Sequence, residues 1–523
     1  MTVTEDLTTD VLVAGGGPAA TWAALHAARA GADVVLADKG YCGTSGSTAA
    51  GGTGVWYVAP DPAAREAAMA SREALGGHLA DRRWMARVLD RTYTNMNELA
   101  ESGGYRFPTG PDGRPLRNGL QGPEYMRRMR IRVRRAGVRI LDHSPVTELL
   151  TAADGTVAGA AGYRRQEGRP YRVRAGAVVL ATGGCAFLSK ALGTDTNTGD
   201  GALYAAEAGA ELSGMEFSNA YGIAPEGTSV TKTAFYTFAT FSHEDGRVLE
   251  GAASQGGRSV IARALLDGKV YCVLDRADAD AQAAMRRAQP NFFLTFDRLG
   301  IDPFTDRFAV TLLAEGTVRG TGGIRIAGDD CRTTVPGLYA AGDAATRELI
   351  CGGFTGGGSH NAAWAMSSGT WAGRGAARYA LALGRGSAGR TLRTAGGAGL
   401  RPAGRGGPDH REVVAAVQRE VLPYDKNYLR HGDGLAGALT VLDDAWRQLR
   451  DGLHGTGRDA IRARQAAALA ANARWMYRSA LARTESRGMA RRLDHPGQDP
   501  AQHHRIATGG LDEVWTRPFR EPT

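Results

Sequence analysis

The stretch from Asp10 to Asp38 constrains this chain more than any other. Asp10-Val-Leu-Val-Ala14 is an apolar run of strand length, and Gly15-Gly-Gly17 interrupts it. Pro18 then opens an alanine-rich segment that favours a helix up to Ala30. Gly31 closes the helix, and Asp33-Val-Val-Leu-Ala-Asp38 reads as a second buried strand. Together they form one βαβ unit. In Gly15-x-Gly17-x-x-Ala20 the first glycine permits the tight turn and the second lets backbone approach a pyrophosphate. The alanine allows close packing of helix on strand. The helix start offers free N–H groups and a positive dipole end to the anion. Asp38 stands about 20 residues further on, where a carboxylate receives a ribose hydroxyl. The unit predicts a dinucleotide site and does not by itself separate FAD from NAD.

At 523 residues the chain exceeds one ordinary core, so two or three domains are expected. From about Arg132 to Ala177 the pattern is one of short strands joined by turns such as Ala153-Asp154-Gly155. Val178-Val-Leu-Ala181-Thr182-Gly183-Gly and Gly337-Leu-Tyr-Ala-Ala-Gly342-Asp343 are further buried strands ending on glycine. They read as second and third approaches of a discontinuous flavin domain, which points to FAD. Between them, aromatics cluster from Ala234 to Phe241. The predicted architecture is α/β: a Rossmann-like FAD-binding domain at 1–213 and 321–385, with an α+β capping domain inserted at 214–320. Glycine, arginine and alanine without apolar period mark 386–409 as a flexible linker. Helical periodicity over about 410–490 marks 410–523 as a C-terminal helical region.

The formal charge of +9 is carried by arginine, with only five lysines among 63 basic residues, which suits an anionic ligand or reflects codon usage. The basic stretch Tyr125-Met-Arg-Arg-Met-Arg-Ile-Arg-Val-Arg-Arg135 raises a nucleic-acid reading, but its alternation suits an amphipathic element with a solvated face, so no nucleic acid is expected. The five scattered cysteines show no spacing for zinc or an iron–sulfur cluster, so no metal is expected. No signal-peptide pattern and no run of about 18 apolar residues occur, which predicts a soluble cytoplasmic protein.

Several segments, in order, resemble the flavoprotein subunits of succinate dehydrogenase and fumarate reductase, with L-aspartate oxidase and adenylylsulfate reductase as relatives. Thr44-Ser-Gly-Ser-Thr-Ala-Ala-Gly51-Gly52 is similar to the family's flavin-embracing loop. Thr198-Gly-Asp200 and Met215-Glu-Phe217 resemble the approach to its capping domain, and Ala482-Arg-Thr-Glu-Ser-Arg-Gly488 with Asp494-His-Pro496 resembles its C-terminal region. Ser367-Ser-Gly-Thr-Trp-Ala-Gly-Arg374 loosely resembles the adenylylsulfate reductase branch. The resemblance covers nearly the whole chain. Together with the motifs, it gives the expected flavin set: Gly15, Gly17, Ala20, Asp38, Lys39, Ser45, Ser47, Thr48, Gly51, Gly52, Val146, Ala181, Thr182, Gly183, Asp200, Gly342, Asp343 and Ser359. No histidine stands near Gly46–Thr48, so FAD is expected to be non-covalent.

For catalysis, Gly257-Arg258-Ser-Val-Ile-Ala-Arg263 resembles the stretch whose first arginine moves a proton to or from the substrate carbon, which makes Arg258 the expected acid/base. Glu250 is a candidate helper in that relay, and His243 beside Glu244 a candidate general base. The family's substrate histidine is missing ahead of Gly322-Gly323, with Arg319 the nearest polar substitute. Its carboxylate-clamping arginine aligns near His360. The helix start Ser359-His360-Asn361 is expected to aim N–H groups at the N1/O2 edge of the flavin. Met215-Glu-Phe217 runs into Ser218-Asn-Ala-Tyr-Gly rather than the His-Pro of dicarboxylate enzymes. The expected function is therefore hydride transfer between flavin N5 and a small anionic substrate other than plain succinate or fumarate. An oxygen-using oxidase or monooxygenase acting on an amino-acid-like substrate stays open, as does a flavoprotein feeding an iron–sulfur partner. Cys185, just beyond Gly183-Gly, is expected to be a buried filler.

Overall fold

The computed structural model describes residues 4–519 apart from 111, 232–233, 255, 355–356, 385–388 and 402–406. β1 (Glu5–Ala14) lies inside an eight-stranded sheet. α1 (Pro18–Arg29) carries the chain back to β2 (Val34–Ala37), which pairs parallel to β1 from Val11↔Val34 to Ala14↔Ala37. On its other side β1 pairs parallel with β3 (Arg169–Leu180). Val11–Ala14 and Val34–Ala37 are wholly apolar and buried, as strands covered by helices on both faces must be.

The chain leaves this sheet for a four-stranded antiparallel cap. Its strand order is β4 (Ala220–Pro225), β5 (Phe308–Glu315), Val270–Val273 and Thr240–His243. Phe292, Phe293, Phe296 and Phe308 pack largely edge-on beneath it as a core of their own. β6 (Leu338–Ala340) returns to the large sheet and pairs parallel with β3. The long helix α2 (Gly357–Leu383) then lies against α1. Gly369 and Gly373 make that contact possible, because a Cβ at either would collide with the α1 carbonyl oxygens of Ala19 and Ala23. The α/β class with a capping sheet and C-terminal helices agrees with the sequence reading.

Three expectations need correction. Within 386–409, the described residues 389–401 are docked rather than free. Arg393–Thr394 pairs antiparallel with the edge strand Val146–Thr151, Gly396 N–H donates to Glu148, and Arg401 pairs with Glu148 at 2.7 Å. An open strand edge and a buried carboxylate supply partners that a composition rule does not register; 386–388 and 402–406 lie outside the described residues. The C-terminal region is not helical throughout. After helices at His410–Val421, Gly432–Gly452 and Arg458–Ala482, the hairpin Arg505–Gly509/Trp515–Phe519 joins Leu212–Ser213 and Gly323–Ile324 in a separate sheet. Arg505–Gly509 is buried along its whole length and Trp515–Phe519 is largely exposed, so neither alternates between a buried and a solvated face. Finally, the strands expected from Arg132 begin at Arg139, because Gly122–Arg135 is a helix.

On that basic helix, Arg127 and Arg128 both pair with Glu124, Arg130 with Asp142 at 2.7 Å, and the buried Arg132 with Glu98. Among the described residues no helix is long and apolar enough to cross a membrane, and no cluster of His, Cys, Asp or Glu is fit to hold a metal.

Candidate flavin and substrate site

The β1–α1 turn opens into a cavity of about 920 Å³ that runs between the large sheet and the cap. Gly15 sits at φ +122°, and a Cβ there would strike the Ala181 carbonyl oxygen at the end of β3. Gly17 differs: only the Gly46 Cα lies within reach of an added Cβ, at 3.9 Å. Gly17 is also the N-cap of α1 and offers no capping side chain, so the free N–H groups of the first turn have no side-chain cap, and Gly17, Pro18 and Ala19 line the cavity. That open cradle fits a pyrophosphate.

Asp38 directly follows β2 and accepts the Ser45 hydroxyl at 2.5 Å. Burial pushes its carboxyl above the usual carboxylate range, opposed by the Ser45 bond. Lys39 reaches across to Asp200 at 3.0 Å and Thr198 at 3.1 Å, joining β2 to the segment ahead of the cap. Beyond β6, Asp343 is likewise pushed up by burial, while Arg347, at 2.5 Å, and Arg319 pull the other way.

Every flavin residue expected from the sequence lines this one cavity except Ala20. Ala20 is fully buried on α1, as its packing role requires. Ser359 and Asn361, in the first turn of α2, line it as well. His360 does not; its ring is buried 4.4 Å from that of Trp56. Cys185 is buried off the cavity, with its thiol pushed up by desolvation.

The catalytic expectations fare differently. Arg319 lines the cavity. Arg258 does not; its guanidinium donates to the Tyr221 carbonyl at 3.3 Å. His243 lies on the outermost strand of the cap sheet and Glu250 is exposed, and neither lines the cavity. All three lie between the first and last strands of the cap sheet, away from the face that lines the cavity. The cap instead presents Val230, Thr231, Ala234 and Gln289. Gln289 is 4% exposed, with its Oε1 lacking a hydrogen-bond partner among the described residues. Nearby, Asn291 donates to the Ala50 carbonyl at 3.0 Å, fastening cap to flavin loop. Thr231 and Gln289 are common neutral residues, and nothing in the sequence marked them.

A backbone-built dinucleotide turn under a cap suits a flavin-dependent oxidoreductase, and comparisons with known proteins show that class. Residues 10–221 match the FAD binding domain family and 420–513 the fumarate reductase flavoprotein C-terminal family. L-aspartate oxidase of Streptomyces coelicolor is 30% identical over 412 residues, covering 72% of this chain and 68% of that protein. The fold is that of E. coli quinol fumarate reductase (TM-score 0.81, 21% identity, 98% and 97% of the two chains). It is also that of Archaeoglobus fulgidus adenylylsulfate reductase (TM-score 0.80, 17% identity, 100% and 97%). The chain belongs to the succinate dehydrogenase/fumarate reductase flavoprotein family, FAD-dependent oxidoreductases that include L-aspartate oxidase.

Proposed function

We propose that this protein transfers hydride between flavin N5 and a small anionic organic substrate other than plain succinate or fumarate. The observation that supports this most is the charge at the cap end of the cavity. Lys39 and Arg165 stand together beside β2, where Arg165 donates to the Lys39 carbonyl at 3.1 Å. At the cap end, Arg319 is the single cation among the described lining residues. One guanidinium can hold one carboxylate or a comparable anion as a bidentate pair.

FAD, when bound, supplies the two-electron hydride acceptor or donor. The chain's own part is to grip the cofactor through the β1–α1 turn and to present N–H groups at the start of α2. Arg319 orients the substrate, and the cap excludes water. Without a histidine at Gly46–Thr48 the flavin is held non-covalently, in a soluble cytoplasmic protein. A second reading is an oxygen-using oxidase acting on an amino-acid-like substrate. The likeness to L-aspartate oxidase favours it, while an electron-accepting partner protein is the other outlet for reduced flavin.

The test begins with the visible spectrum of the purified protein, alone and after FAD reconstitution. Acid precipitation should release the flavin into the supernatant. Anaerobic mixing with L-aspartate, other amino acids, 2-hydroxy acids and succinate follows, and then air is admitted. Bleaching by an amino or hydroxy acid but not by succinate is expected. Reduction by succinate alone would overturn the substrate class, and rapid reoxidation by air would decide for the oxidase.

A further inference from the structure

We propose that the substrate's proton travels through the Thr231 hydroxyl to the Glu315 carboxylate, while Arg319 holds that carboxylate and the substrate's anionic group. The proposal rests on the functional reading above and names the groups that move the proton.

Glu315 ends β5, where the chain turns from the cap back to the flavin domain. It is 0% exposed. A carboxylate buried so completely is costly unless paired and hydrogen-bonded. Its Oε1 accepts the Thr231 hydroxyl at 2.7 Å and lies 3.6 Å from Arg319 Nε, while Oε2 has no hydrogen-bond partner among the described residues. Room for the pair comes from Gly222 on the neighbouring strand β4. A Cβ there would stand 2.6 Å from Thr231 Cβ and 2.9 Å from Glu315 Cδ.

Thr231 and Arg319 line the cavity and Glu315 does not. The carboxylate is thus kept dry, one hydroxyl away from the space the substrate occupies. Arg258, the acid/base expected from sequence, does not line the cavity and instead donates to the carbonyl of Tyr221, next to Gly222. A guanidinium with a free pKa above about 12 is also a poor proton acceptor.

The step balances. In the oxidation direction the substrate loses two electrons and one hydrogen as hydride to the flavin, and a proton from its O–H, N–H or adjacent C–H bond. That proton binds Thr231 Oγ1 as the hydroxyl's own proton moves to Glu315 Oε1. A neutral carboxyl and a re-formed hydroxyl remain, and Arg319, released from its partner, is neutralised by the product's anionic group. Reduction runs the same transfers backwards. Thr231 is the catalytic residue of this relay, and Glu315 a positioning residue that acts through it.

The experiment is anaerobic stopped-flow reduction of the FAD-loaded enzyme by L-aspartate, lactate, glycine and succinate, continued with the acid that reduces the wild type fastest. Thr231→Val is expected to lower the limiting rate by roughly 10²–10⁴-fold, the usual worth of a positioned proton-transfer group. The apparent dissociation constant should stay near the wild-type value. Thr231→Ser should restore the rate, and Glu315→Gln should match the valine variant. The double variant should be no slower than either single one, because the two groups act as a unit. Should Thr231→Val not retain FAD, Glu315→Gln and Thr231→Ser read the same step. A wild-type rate in Thr231→Val or Glu315→Gln would overturn the relay alone, as would a loss seen wholly in binding or one not restored by serine. A wild-type flavin that no acid of the panel reduces would remove the functional reading and the relay with it.

Discussion

The two ends of the cavity are built by opposite means. At the β1–α1 turn the protein meets its ligand with backbone: open space at Gly17, uncapped N–H groups, and a glycine wedged against the Ala181 carbonyl. At the cap end it works with side chains: Arg319, Gln289 and the Thr231–Glu315 pair. A backbone site tolerates almost no substitution, because its shape is set by atoms every residue has and is spoiled by the Cβ that only glycine lacks. A side-chain site can be rewritten residue by residue on the same frame. This family can therefore hold one cofactor and vary what it reacts with.

The harshest way to break the contrast is at the turn. Gly15→Ala combines a left-handed φ with a collision against rigid backbone. We expect a loss of about 3 kcal/mol or more in stability and no bound flavin. The ratio of visible to ultraviolet absorbance and the thermal melt measure it. Gly17→Ala should behave differently, because the added methyl meets no protein atom closer than 3.9 Å. Its apo-protein should melt like the wild type while its FAD affinity falls. If Gly17→Ala unfolds the protein instead, the open space is structural and the turn is no ligand cradle.

At the cap end, Arg319→Met should fold and bind FAD but raise the substrate dissociation constant by roughly 10- to 100-fold, the worth of one or two hydrogen bonds to a charged group. Saturation of the reductive half-reaction measures it. Unchanged binding would move the anion site away from Arg319. Gln289→Ala should be milder, about two- to tenfold in the same constant, as befits a neutral hydrogen bond.

This asymmetry explains what could be read from the sequence. Asp10–Asp38, Ala181–Gly183 and Gly342–Asp343 announce themselves because a buried strand ending on an obligate glycine has few other uses, and all three converge on the cavity. Arg319 was found through a missing histidine, which is a family argument and not a physical one. Thr231 and Gln289 were invisible, since their roles come from tertiary placement alone. His243 and Glu250 looked reactive as residues, but one lies on the outer strand of the cap sheet and the other is exposed. Even the segment Arg483–Arg487 hides its reason in the sequence. Arg483 sits fully buried between Glu216 and Glu485, each at 2.8 Å, bracing the base of the cap against the C-terminal helix.

The smallest expected effect separates the two designs a cap of this kind can have. Arg258→Ala removes the one arginine that family resemblance puts at the reaction centre. Here its guanidinium serves the Tyr221 carbonyl, one residue from Gly222, and so supports the strand on which Thr231 and Glu315 rest. A lost hydrogen bond of that kind costs about 1 kcal/mol. The limiting rate of flavin reduction should therefore fall by less than about tenfold, with the melt lowered slightly and substrate binding unchanged. A far larger drop in rate, with stability and binding intact, would mean that the cap swings Arg258 into the cavity during turnover. Proton transfer would then belong to that arginine, and Glu315 would be left as the buried partner that steadies Arg319. The same measurement on Thr231→Val gives the opposite pattern under each design, so the pair of variants assigns the proton to one route or the other.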